Sequence, residues 1–296
     1  MRRTAFTLIE LLFVIVIMGI LSKFGVEFLA QAYNNFISSN INNTLQAQSE
    51  AAVETIASRL QYRIKDSIIA KKANGDFKAL ASSDYGASAT ILEWIGSDID
   101  GFRGNSLPMW SGVIDLNNSI SSSTLLVSPE TNTTALNTLI DVLSNGGSDI
   151  NDSAIYFVGS DTNIRTGYGW DTNLIAIDAQ SGAMHPVKAG VNINEFVPIK
   201  GSDGTLNNFN GVDVYEYYQF AWSAYAVVHS ADGNLTMYYD YQPWKGQSYT
   251  SGKHATLMEN VDTFRFKAIG SIVKIQVCVN SSVMEDYSLC KEKTIY

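Results

Sequence analysis

The sequence predicts an α+β fold in which a long N-terminal helix packs on antiparallel β-sheet and leads into an enlarged, β-rich C-terminal body. Three observations lead to this prediction. The first 107 residues contain no proline, so nothing in them forbids a long helix. Apolar residues in this part recur at helical spacing. The second half consists largely of short β-branched and aromatic runs separated by Gly and Asp, a pattern typical of strands and turns.

The N-terminal segment is predicted to form one helix over residues 6–71, with residues 6–29 embedded in a membrane. Its first third is almost entirely apolar, whereas the remainder carries one apolar stripe. Asn74-Gly75-Asp76 is expected to stop the helix, and Lys23 and Glu27 are expected at the membrane edge. A helix of this length would span roughly 100 Å at 1.5 Å per residue. The stripe comprises Ile37, Ile41, Leu45, Val53, Ile56, Leu60, Ile64 and Ile68.

Residues 72–296 are predicted to form the β-rich globular domain. Its clearest hairpin joins Phe264–Ala268 to Val273–Val277 through a turn at Gly270-Ser271, because both arms alternate apolar and polar residues. Other patterns predict strands at Ala154–Val158 and Asn173–Ile177, a long hairpin from Val212–Val228 to Leu235–Tyr241, a short helix at Thr134–Leu143, and a strand or helix at Ile91–Ile95.

The composition of the chain argues against a general nucleic-acid binder. The net charge is −9 and the isoelectric point is about 4.8, whereas such binders usually present a basic face. Charged residues make up only 17% of the chain, and Asn, Ser, Thr and Gly are plentiful, which suits a loop-rich exported β protein. We therefore expect no nucleic-acid partner.

One acidic residue near the start of the apolar segment is the most informative feature of the N-terminus. The basic stretch at residues 1–5 is followed by Phe6-Thr-Leu-Ile-Glu10, and the run Leu11–Leu21 carries no charge or polar side chain. A carboxylate inside a membrane is costly and is usually functional. A secretory signal peptide would need a small-residue cleavage site, which residues 18–22 hardly provide, and a plain membrane anchor leaves Glu10 unexplained.

The sequence FTLIELL and its basic leader resemble the class III signal of type IV pilins and type II secretion pseudopilins. The resemblance implies that residues 1–5 are a leader peptide, that a prepilin peptidase cleaves between Ala5 and Phe6, and that Phe6 is then N-methylated. It also implies that Glu10 pairs with the amino terminus of a neighbouring subunit during assembly. The family usually has Gly before the cleavage site, where this chain has Ala5.

Two further segments resemble one group within this superfamily, the minor pseudopilin J and minor pilin W proteins. They are Ala57-Ser-Arg-Leu-Gln61 and Leu257–Phe266. The resemblance implies a low-abundance subunit at or near the filament tip that helps to initiate assembly. Its partners would be other subunits through the N-terminal helix, the prepilin peptidase and the inner-membrane assembly platform. The body would be periplasmic, or carried in a pilus or pseudopilus.

Other functions stay open at this stage. A pilus-tip binding module, either an adhesin or a DNA-uptake competence pilin, is the main alternative, supported by the aromatic cluster from Tyr215 to Tyr241. Packing in the hydrophobic core is the other explanation for these aromatic residues. Machines for secretion, twitching and DNA uptake all stay open as the assembly to which the subunit belongs.

No motif predicts catalysis, a cofactor or a metal. Gly246–His254 has five residues between its glycines where a phosphate-binding loop needs four, and Gly167-Tyr168-Gly169 lacks the third glycine of a dinucleotide-binding turn. His185, His229 and His254 lack metal-ligand spacing. We therefore expect a protein that is not an enzyme, with an anchored periplasmic enzyme as the least favoured alternative.

Cys278 and Cys290 are predicted to form a disulfide that closes the C-terminal segment. An exported body lies in an oxidising compartment, where two neighbouring cysteines usually pair. The alternative is two unpaired thiols.

Two groups of polar sequences complete the predictions. Asp98-Ile-Asp100-Gly101 and Asp161-Thr-Asn163 resemble fragments of calcium loops but lack the closing Glu, so solvated turns are expected. Candidate glycosylation sites have an acid two residues before Asn and Ser or Thr two residues after it, which resembles the signal of bacterial N-glycosylation systems. These sites are Asn117, Asn132, Asn151 and Asn234.

Overall fold

Most of the predicted N-terminal helix is confirmed, but its predicted C-terminal end is wrong. The computed structural model describes residues 7–160, 163–171, 180, 182–281 and 287–296. Helix α1 spans Leu8–Leu60, with Thr7 as its N-cap. The predicted helix over residues 6–71 therefore extends too far at its C-terminal end, and its first residue, Phe6, lies outside the described residues.

Helix α1 ends at Leu60 because the residues after it join a sheet. The Arg63 backbone N–H and its Nη1 both donate to the Leu60 carbonyl, which closes the last turn. The Ile64 N–H then donates to the Ile95 carbonyl at 2.9 Å. Ile64 and Ile68 stay buried, but each has an extended backbone and they flank a 3₁₀ turn at Lys65–Ser67. β-Branched residues suit an extended backbone better than a helix.

The first strands follow at once and form a six-stranded antiparallel sheet. The predicted stop at residues 74–76 is the turn between its first two strands. Its strands are β1 (Ile69–Lys72), β2 (Phe77–Ala79), β3 (Ala89–Gly96), β9 (Ser223–His229), β10 (Leu235–Tyr239) and β11 (Lys253–Met258). In spatial order the sheet runs β11-β10-β9-β3-β1-β2.

A five-stranded antiparallel sheet forms a second layer of the body. Its strands are β4 (Leu126–Val127), β5 (Ala154–Phe157), β6 (Met184–Ala189), β7 (Glu195–Pro198) and β8 (Tyr218–Ala221), and their spatial order is β4-β7-β6-β5-β8. Helices α2 (Ile99–Arg103) and α3 (Thr133–Leu143) precede β5, and Leu136 and Ile140 of α3 pack into the core of this sheet. The predicted strand at Asn173–Ile177 lies outside the described residues.

The predicted long hairpin over residues 212–241 is only partly correct. Strands β9 and β10 pair around the expected turn, Leu235 opposite His229. The residues before β9 form β8, which pairs with β5 of the other sheet. The chain therefore passes from one sheet to the other at Trp222, a change of partner that local sequence does not specify.

The third sheet confirms the clearest sequence prediction. Strand β12 (Val261–Ile269) pairs with β13 (Ile272–Asn280) around Gly270, and β14 (Ser288–Ile295) adds on the other side of β13. Gly270 has φ +59°, which a turn of this kind requires and which glycine adopts without strain. The alternating apolar residues of β12 and β13 are buried, except Phe266, which is half-buried.

The last third of α1 lies between the six-stranded and three-stranded sheets. Val53, Ile56 and Leu60 are at most 1% exposed and share a core with both sheets. Full burial of each such side chain contributes roughly 1.5–3 kcal/mol. Packing of a long N-terminal helix on antiparallel sheet, the predicted α+β arrangement, is thus confirmed.

Candidate assembly interface

The first turn of α1 holds Glu10 in a reciprocal cap. Its Oε2 accepts two hydrogen bonds from Thr7, one from the backbone N–H and one from the hydroxyl, each at 2.9 Å. The Glu10 N–H donates to the Thr7 hydroxyl oxygen at 3.4 Å. Thr and Glu three residues apart form a capping box, so the sequence did carry the signal for this role of Thr7.

After this cap, residues 8–36 of α1 are exposed and largely apolar; we call them the bare segment. All its side chains from Leu8 to Phe36 are exposed. The large apolar ones lie between 46% and 83% exposed, for example Leu8 at 83% and Phe28 at 70%. Within the described residues, α1 is the one helix long and apolar enough to cross a membrane, with a mean hydropathy of 2.2 over 18 residues. Such a surface is stable in lipid or against other apolar helices.

The middle of α1 is polar but carries no charge, which the sequence reasoning missed. The Lys23 Nζ lies 3.9 Å from the Glu27 carboxylate on the exposed surface, where the membrane edge was predicted. The next charged residue along the helix is Glu50. Between them lie Asn, Gln and Ser residues, which neither repel a neighbouring helix of the same sequence nor require a counter-ion.

Comparison with known protein families identifies this N-terminus. The family model for the prokaryotic N-terminal methylation motif matches residues 1–22. This motif is the class III signal, and it supports a relation to the type IV pilins and pseudopilins. No curated protein and no solved structure matches the chain significantly.

A prepilin-type N-terminus is processed by a prepilin peptidase and assembles with other pilin subunits. The apolar part of α1 fits a membrane-anchored pilin. The predicted cleavage site, Ala5 and Phe6, lies within the matched motif but outside the described residues, so its geometry is not observed.

The two cysteines of the body are bonded, as predicted. Cys278 on β13 lies directly opposite Cys290 on β14, and a disulfide joins them. The tail that contains Cys290 is itself strand β14. Lys291 and Lys293 of this strand pair with Glu50 and Glu54 of α1, at 3.2 and 2.5 Å.

The prediction of a solvated turn at residues 98–101 is wrong. Asp98 is 5% exposed, and its Oδ1 caps α2 by accepting the Gly101 N–H at 3.2 Å. Burial raises the pKa of Asp98 to about 6, although the Gly101 hydrogen bond and the nearby tryptophan side chains partly oppose this shift. Asp100 pairs with Arg59 of α1 at 3.6 Å. These aspartates thus tie α2 into the body. Asp161 and Thr162 of the second fragment lie outside the described residues.

The remaining predicted residues are dispersed over the body. His185 is buried beside Gln180, and burial lowers its pKa to about 4. His229 contacts the Val261 carbonyl, and His254 packs on Tyr238. Several members of the aromatic cluster are core residues, whereas Tyr215 and Tyr217 are exposed at 40% and 60%. The buried members include Tyr218, Phe220, Trp222 and Tyr241.

Proposed function

We propose that this chain is a minor pilin or pseudopilin, a structural subunit at or near the tip of a type IV pilus or a type II secretion pseudopilus, where it helps to initiate assembly. One observation carries the proposal: a bare, largely apolar helix, capped by Thr7 and Glu10, is joined to a body in which the described residues form three sheets.

The bare segment supports assembly through the N-terminal helix. Burial of apolar surface drives association, and the exposed side chains of residues 8–36 offer it on every side of the helix. Glu10 lies at the membrane-inserted end, where a neighbour's positive amino terminus is a strong partner for a carboxylate. The assembly platform of the inner membrane would bring the N-terminal helix of one subunit against that of the next subunit.

The size of the body supports a position at or near the tip. Pilins that form the shaft must repeat closely along the filament, so a large body is easier to accommodate where no further subunit follows. The low abundance implied by resemblance to the pseudopilin J and pilin W group fits the same position.

The body is proposed to lie outside the cytoplasm and to act structurally rather than catalytically. The disulfide supports an oxidising compartment. The three histidines lie in separate surroundings, as described above, which supports a non-catalytic role.

The position in the filament is tested by labelling and counting. An epitope tag on the full-length protein should place gold particles at filament ends, and sheared filaments should contain far less of this subunit than of the major one. Deletion of the gene should lower the number of filaments more than their length. Labels spaced along the shaft would contradict the tip position. Assays of secretion, twitching and DNA uptake in the deletion strain identify the machine.

A further inference from the structure

The four candidate glycosylation sites share a sequence pattern but not a structural setting. Transfer of a glycan to Asn needs a free side-chain amide, an accessible hydroxyl two residues later and a segment that can leave the protein surface. The structure allows each requirement to be checked at each site.

Asn117 meets the first two requirements, and it lies in an exposed loop rather than in a helix or strand. It is exposed, and within the described residues its side-chain amide makes no hydrogen bond. Ser119 is exposed as well. The acidic residue Asp115 accepts the Asn117 backbone N–H through Oδ1 at 3.1 Å, so a turn presents the Asn side chain outward. The loop over residues 115–125 also exposes Leu116 and Ile120, at 50% and 56%.

Asn151 is exposed but lacks an accessible hydroxyl. Asp149 accepts its backbone N–H at 2.6 Å, in the same kind of turn as at Asn117. However, Ser153 is 1% exposed, and its hydroxyl donates to the Ile150 carbonyl at 2.6 Å. The site therefore presents its Asn and hides its hydroxyl.

The other two sites have side chains that are already engaged. The Oδ1 of Asn132 accepts the Ala135 N–H at 3.0 Å and caps α3. The amide nitrogen of Asn234 donates to Asp232 at 2.8 Å, and Thr236 lies within paired strand β10. Modification at either site would require local unfolding of a helix or a strand.

We infer that Asn117, alone among the four, is an acceptor for an N-linked oligosaccharide. The donor would be an oligosaccharide on a lipid diphosphate carrier. The Asn117 amide nitrogen bonds to the anomeric carbon and loses a proton, while the bond from that carbon to the phosphate oxygen breaks. The lipid diphosphate leaves with that electron pair.

A glycan at Asn117 is compatible with assembly through α1. The 115–125 loop leads into β4 of the five-stranded sheet, whereas α1 contacts strands β3, β11, β13 and β14. The sugar would therefore project from the body without covering the bare segment. This inference rests on the proposed function, because the body must be exported to meet the transferase.

The test is co-expression of the full-length chain in bacteria with an oligosaccharyltransferase that requires an acid two residues before Asn, together with its lipid-linked donor. Intact mass and glycopeptide sequencing should show one oligosaccharide, on Asn117. The N117Q and S119A variants should lose it completely, whereas the matched N151Q variant should keep it. An exported wild-type chain without glycan, or with glycan on another Asn, overturns the inference.

The redox state of Cys278 and Cys290 distinguishes a failure of the glycosylation inference from a failure of the proposed function. An oxidised, unmodified protein has been exported, so only the glycosylation inference is wrong. A fully reduced, unmodified protein has stayed in the cytoplasm, which contradicts both the export of the body and the inference that depends on it.

Discussion

The two ends of α1 have the same backbone structure but opposite surroundings. In the bare segment, residues 8–36, every side chain is exposed. In the embedded segment, residues 45–60, one stripe is buried between two sheets, with Ile56 and Leu60 at 0% exposure. The bare segment is apolar all round over residues 11–21, whereas the embedded segment is apolar on one side only.

This difference shows where each end obtains its stability. Helices in proteins are stabilised mainly by packing of their apolar face. The embedded segment obtains that packing from its own chain. The bare segment must obtain it from lipid or from other subunits, so substitutions in the two segments should affect different measurements.

The largest expected effect is on the embedded segment. Leu60→Ala should lower the free energy of unfolding of the detergent-solubilised protein by about 2–5 kcal/mol, because it leaves a cavity between two sheets. The matched control, Leu12→Ala, removes the same atoms from a side chain that is 56% exposed and should leave the urea unfolding of the body unchanged. Equal shifts in both variants would remove the distinction between the segments.

Loss of the disulfide should lower the stability of the body nearly as much, and it should leave the bare segment unaffected. Reduction, or a Cys278→Ser/Cys290→Ser variant, should cost about 3 kcal/mol in the chain-entropy model. The lost stability should appear as a lower thermal midpoint of the body, with membrane anchoring by the bare segment intact. Cysteines in the exported protein that alkylate without reductant would show that the bond does not form.

At the bare end, Glu10→Leu should affect assembly and not folding. The variant should remain in the membrane with an unchanged thermal midpoint, while its incorporation into filaments falls by about tenfold or more, because the carboxylate can no longer pair with a neighbour. Thr7→Val is a useful comparison, since it removes the local hydroxyl partner and keeps the carboxylate. Normal incorporation of Glu10→Leu would make the residue a bystander.

The smallest effect is expected from the ion pairs between β14 and α1. A double Lys291→Ala/Lys293→Ala variant should lose less than about 1 kcal/mol, because all four side chains are 41–57% exposed and screened by water. Added salt should weaken the wild type toward the variant. A loss as large as that of Leu60→Ala would mean that charge, rather than burial, holds the embedded segment.

The sequence predicted the bare segment better than the embedded one, for a physical reason. The apolar run and Glu10 are local features, and so is the alternation in β12 and β13. Local sequence does not determine where α1 ends, because Ile64 and Ile68 continue the four-residue spacing. The pairing of residues 62–64 with the end of β3 decides against the helix, and the sequence left β3 open as a strand or a helix.

The candidate sites divide in the same way. Glu10, Cys278 and Cys290 could be found from spacing and composition. The four Asn sites look equivalent in sequence, and their hydrogen bonds distinguish them only in the fold. The burial of Asp98 was likewise hidden, because its surroundings come from tryptophans more than ten residues away along the chain.

The position of β14 has a consequence for the order of folding. The Lys291–Glu50 contact joins residues 241 positions apart, so the last strand of the chain closes the layer over its first helix. Pairings of such high contact order form slowly, since the entropy of closing the loop opposes them. Until the final strand arrives, the apolar stripe of α1 lacks part of its cover on the side of the three-stranded sheet, where β13 and β14 both contact it. A newly exported chain would therefore be most vulnerable to aggregation and proteolysis just before its C-terminal residues dock.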